Sequence, residues 1–137
     1  MRDERMSYPR RDFLDILRRA LTAFPIACFT LTVGTNLAYL QTSNLLWLHF
    51  SEWLLLFGLA AGLVAGIVAL LQLAFSRTKP SWGYLVCGAL VLILAALNNF
   101  IHTADGWTAV MPFGITVSIA TVVLMLLTGW FGRIRYV

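Results

Sequence analysis

From Leu21 onward the sequence has almost no charge. Glu52, Arg77, Lys79, Asp105, Arg133 and Arg135 are its only carboxylates and bases there, in a chain of 137 residues that is 12% charged and 60% hydrophobic. That balance excludes an ordinary soluble domain. Cysteine is nearly absent too. Cys28 and Cys87 are the only two, both lie in apolar runs, and the expectation for each is an inert reduced thiol. No phosphate-binding loop, dinucleotide fingerprint, Cys-x-x-Cys or nucleophile elbow occurs, so no motif names a reaction. Alternating apolar and polar residues are missing as well, which excludes a membrane barrel.

What is present is apolar length. The charges and histidines divide the chain into segments at about 21–40, 53–75, 82–101 and 109–131. Each is long enough to cross a hydrocarbon core of ~30 Å, and in lipid only a helix satisfies such a backbone. The fold class is therefore all-α: an integral membrane four-helix bundle, with residues 1–20 a cytoplasmic amphipathic segment and 21–137 the membrane domain. Six arginines precede span one, Arg77 and Lys79 fill the second loop, and Arg133 and Arg135 the tail, whereas the first and third loops have no Lys or Arg. The positive-inside rule puts both termini in the cytoplasm. Trp47, Trp53 and Trp107 then fall at the outer interface, Trp82 and Trp130 at the inner one. The net charge of +4 points to anionic headgroups and not to nucleic acid.

In the N-terminal segment Phe13, Leu14, Leu17 and Leu21 form one stripe opposite Arg11, Asp15, Arg18 and Arg19, the pattern of a short interfacial helix. Pro25 either starts span one or kinks it. Asn36 reads as helix-to-helix glue. Ser51 is the expected cap of span two, with Glu52 in its first turn. Gly58, Gly62 and Gly66 make two overlapping small-xxx-small steps on one helix face. That is a packing signal whose partner, this bundle or another chain, the pattern leaves open.

The unusual chemistry gathers at the outer ends, above all between Asn98 and Pro112. His49 with Glu52 and His102 with Asp105 are each spaced i, i+3, so each pair projects from one side of a helical turn. Together the four make a candidate metal set. His49, His102, Asn98 and Asn99 are candidate contacts for a quinone or haem. Both histidines read as rim residues, and no ionisable group is expected at membrane depth. A pathway through a single protomer is therefore not expected, and a small oligomeric transporter ranks third. Pro25 and Trp107 join the three glycines as candidate packing or partner residues.

The chain resembles the bacterial membrane proteins of domain-of-unknown-function family 2231. The resemblance rests on Phe24-Pro-Ile-Ala-Cys-Phe29, Phe50-Ser-Glu-Trp-Leu-Leu55, the stretch Asn99-Phe-Ile-His-Thr-Ala-Asp-Gly-Trp-Thr108 and Thr128-Gly-Trp130. It implies a four-helix protein of the bacterial inner membrane that accompanies oxidoreductases. Where relatives often have His before the Phe-Pro, and acidic residues near the ends of spans one and two, this chain has Ala23, Asn36 and Gln72. Each difference removes an ionisable group. The resulting expectation is a non-catalytic accessory subunit of an electron-transfer complex, respiratory or photosynthetic. It would be embedded in lipid, bound to a larger complex or to its own copies, and without a cofactor of its own.

Overall fold

The computed structural model describes residues 13–76, 79–104 and 110–134. Helix α1 covers Phe13–Thr42, α2 Leu45–Phe75 and α3 Trp82–Ala104, and α4 covers Ile115–Ile134 after a π-helical turn at Val110–Gly114. Four stretches are long and apolar enough to span a membrane: Ile16–Thr42, Leu45–Phe75, Trp82–Thr103 and Pro112–Trp130. The protein is thus an all-α membrane bundle. Short connections make chain neighbours antiparallel. α1 packs most extensively on α2, and contacts of α2 with α3, α3 with α4 and α4 with α1 close the ring. Phe29, Leu55, Val91, Ala95 and Met125, with at least one residue from each helix, form the apolar centre.

Several boundaries differ from the sequence expectation. Ser51 does not cap α2. Asn44 does, from extended backbone at φ −92° and ψ 119°, its Oδ1 accepting from the Leu46 amide at 3.0 Å. Ser43, at φ 51°, lets its amide donate to the Tyr39 carbonyl at 2.8 Å and closes α1. A two-residue turn thus replaces the loop expected at 41–52, and α2 begins eight residues before position 53. The polar letters that suggested a loop are spread around a helix, with Leu48, Ser51 and Leu55 on its buried side.

At the other end α1 runs without a break from Phe13, with Pro25 inside it. The expected boundary at residue 20 therefore falls within one helix. Arg18, expected on a polar face, is only 7% exposed, with its guanidinium carbon 4.6 Å from the centroid of the Tyr84 ring on α3. A long aliphatic stem and a cation–π contact make that burial tolerable.

The glycine ladder packs inside the bundle. A Cβ on Gly58 would stand 2.6 Å from Phe29 Cε1 and 3.0 Å from Cys28 Cβ, both on α1. One on Gly62 would stand 2.8 Å from Leu92 Cδ2 of α3 and 3.8 Å from Pro25 Cγ. Small residues here let three helices approach closely, which is where packing between membrane helices gains its energy.

Candidate functional site

The half of the bundle nearer the α1–α2 turn encloses a polar cluster drawn from all four helices. Asn98 and His102 lie one turn apart on the same face of α3. Asn36 comes from α1, Ser51 from α2 and Ser118 from α4, and all five are buried. Asn36 is the hub. Its Nδ2 donates to Ser118 Oγ at 3.2 Å, and its Oδ1 accepts from Ser51 Oγ at 2.8 Å. Asn98 Nδ2 also donates to Ser118 Oγ, at 2.7 Å, and the Ser118 hydroxyl in turn donates to the Gly114 carbonyl at 2.8 Å. Gly114 ends the π-helical turn. Pro112, within that turn, has no amide hydrogen and disfavours a regular ladder. The hydroxyls of Thr116 and Ser118 satisfy the Pro112 and Gly114 carbonyls, which a lipid environment requires.

His102 has no exposed surface. Its Nδ1 lies 2.9 Å from the Asn98 backbone carbonyl and its Nε2 3.2 Å from Asn36 Oδ1. Both oxygens are acceptors, so a ring that donates to each carries both protons. A neutral ring keeps Nδ1–H on the carbonyl and needs the Asn36 amide turned, with Nδ2 facing Nε2. That turn would bring Oδ1 to Ser118 and reverse the hydrogen bond there. The charge of His102 and the direction of hydrogen bonding across the bundle are therefore linked. Among the described residues Asn98 Oδ1 accepts no hydrogen bond, and a buried orphan acceptor costs about 1–3 kcal/mol.

His102 stands in the last turn of its span, which ends at Thr103, and its ring is turned into the bundle instead of toward the surface. His49 does lie on the surface, 65% exposed, with Nδ1 3.3 Å from Glu52 Oε2. The proposed metal set is thus divided between surface and interior, while Asp105, like Trp107, lies outside the described residues. No group of three or more His, Cys, Asp or Glu suited to a metal ion occurs among the described residues. Asn99 is half-buried and stays out of the cluster, because successive helical residues diverge in direction. The His49–Glu52 pair is exposed enough that Glu52→Gln is expected to change stability by less than about 1 kcal/mol. Thermal melts at low and high salt check this, and a larger loss would show that the pair helps to hold the bundle.

Sequence reasoning treats Ser51 as a cap and does not single out Ser118. The available signal was depth: counted from the same end of antiparallel spans, Asn36, Ser51, Asn98, His102 and Ser118 fall within about two turns of one level. The eight-residue error at the start of α2 hid Ser51 from that count.

A second feature is an apolar groove of about 350 Å³ nearer the Arg18 end, with Thr22, Gly66, Leu70, Tyr84, Gly88 and Met125 among its walls. His49, Asn98, Asn99 and His102 do not line it.

A family model described as a predicted membrane protein (DUF2231) matches residues 20–134. No curated protein and no solved structure matches the chain.

Proposed function

The chain belongs to the DUF2231 family of predicted membrane proteins, and from that premise we propose that it is a non-catalytic accessory subunit of a membrane complex. The observation that carries this reading is the use made of the buried polar groups. Asn36, Ser51, Asn98, His102 and Ser118 tie the four helices to one another, and among the described residues no nucleophile is paired with a base. A bundle stapled in this way is a rigid body suited to docking. The glycine face is used internally, so a partner would meet the apolar outer faces, such as Phe57, Leu63, Ile67 and Leu70 of α2.

In the finer proposal the complex is an electron-transfer assembly of a bacterial inner membrane, with both termini cytoplasmic. The arginine distribution supports the orientation, and the family resemblance supports the setting. Gentle extraction from native membranes, followed by mass spectrometry and an absorbance spectrum, tests it. Stoichiometric co-elution with oxidoreductase subunits is expected. A lone chain without partners would overturn the reading, and a lone chain carrying a haem or quinone would move the function to His102 and its neighbours.

A further inference from the structure

The hydrogen bonds around His102 can be drawn in two complete ways, and one proton separates them. With both ring nitrogens protonated, Nδ1 donates to the Asn98 carbonyl and Nε2 to Asn36 Oδ1. Asn36 Oδ1 also accepts from Ser51, Asn36 Nδ2 donates to Ser118, and the Ser118 hydroxyl is free to donate to the Gly114 carbonyl. Without the Nε2 proton, two lone pairs would face each other at Nε2 and Asn36 Oδ1. Turning the Asn36 amide by half a rotation removes the conflict and moves no helix. Nδ2 then donates to Nε2 and to Ser51 Oγ, and the Ser51 hydroxyl has a second acceptor in reach, the Trp47 carbonyl at 3.1 Å. Asn36 Oδ1 now faces Ser118 Oγ, which still accepts from Asn98 Nδ2. A hydroxyl has a single donor. Ser118 therefore donates to Asn36, and the Gly114 carbonyl loses it.

The effect falls on the entry to α4. Gly114 ends the π-helical turn Val110–Gly114, and turns of this kind are frequent at functional sites. Pro112 within it has no amide to donate, so the hydroxyls of Thr116 and Ser118 supplement the backbone there. Withdrawing one of the two weakens the turn.

A proton has a short way to travel, because His102 is followed by the exposed Thr103 at the end of its span. Of the other titratable groups, Glu52 on α2 exerts its charge on the ring and pairs with the exposed His49. On α1, Tyr39 stands three residues beyond Asn36, and Cys28 lies about two turns further from this end. Tyr84 and Cys87 of α3 are about four turns away or more. From Val110 to Trp130 the fourth helix and its entry turn have no titratable residue.

We propose that His102 is a proton switch: its ionisation turns the Asn36 amide and moves the Ser118 hydroxyl between Gly114 and Asn36, tightening or loosening the entry to α4. The device belongs to the bundle itself and does not depend on the accessory-subunit reading.

The test uses the full chain in lipid nanodiscs, with isotope-labelled histidine, asparagine and glycine, and NMR spectra from about pH 5 to pH 8, where histidine titrates. As pH rises, His102 Nε2 is expected to lose its proton while Nδ1 keeps its own. The Asn36 side-chain amide and the Gly114 carbonyl signals are expected to shift with the same midpoint. In Ser118→Ala the ring and Asn36 still titrate together, but the Gly114 shift is lost. In His102→Gln both shifts are lost, while the exposed His49 still titrates and marks the ordinary effect of pH. A His102 ring that keeps one protonation state across the range overturns the proposal. So does a Gly114 carbonyl that fails to follow the ring in the unmodified chain, whether or not the variants fold, or one that still follows it in Ser118→Ala.

Discussion

Gly58→Leu is expected to lower the melting temperature of the detergent-solubilised protein by about 10 °C or more, or to prevent its extraction as a single species. Even one added carbon meets Phe29 Cε1 at 2.6 Å and Cys28 Cβ at 3.0 Å, and Phe29 belongs to the apolar centre. Overpacking costs about 1–3 kcal/mol for extra methylenes, and more where the neighbours cannot yield. For Gly58→Ala the gain in helix propensity, about 1 kcal/mol, offsets part of that cost, so alanine is expected to be mildly destabilising. Leucine has no comparable compensation, because its branch enters the α1–α2 seam. At ~3 kcal/mol the melting shift is about 10 °C for a domain of this size. Gly34→Leu is the control. A Cβ there meets nothing within 4 Å, so the substitution is expected to be neutral or slightly stabilising. Equal melting temperatures for the two leucine variants would refute the close α1–α2 approach.

Asn36→Leu is expected to cost roughly 3 kcal/mol and to loosen the half of the bundle nearer the α1–α2 turn. It removes the contacts to Ser118, Ser51 and His102. Hydrogen bonds between membrane helices average about 0.6 kcal/mol each, so the three together account for roughly 2 kcal/mol. The rest comes from His102 Nε2, which is left without a partner in a site closed to water. Asn99→Leu removes an amide outside the cluster and is expected to cost much less. Because Ser118 also receives Asn98, combining Asn36→Leu with Ser118→Ala is expected to be non-additive by about 0.5–1.5 kcal/mol. Strict additivity in thermal or denaturant melts would mean that the cluster is a set of independent contacts.

These expectations depend on geometry that the sequence supplies only in part. The number of spans follows from composition, since four apolar segments without interior charge have one stable conformation in lipid. The glycine ladder announced close packing. It could not announce its partner, because a small-xxx-small face is the same face whether it meets α1, α3 or another chain. The burial of His102 was not legible because the apolar run ends near Ile101, while α3 continues to Ala104 and its helical phase puts His102 on the same buried side as Asn98. Arg18 was misjudged because periodicity gives a helix its faces and says nothing of which neighbour, here Tyr84, covers them.

The sequence by itself determined the membrane class, the four helices, the basic end and the residues that would need partners. The tertiary structure decided the rotation and depth of each helix, and with them the partners. Asn36 and Ser118 are 82 residues apart in the chain and His102 is 66 from Asn36. No local preference encodes such a meeting. It follows from packing four helices at once, where the depth set at Gly58 and Gly62 carries through rigid helices to the polar cluster two turns above.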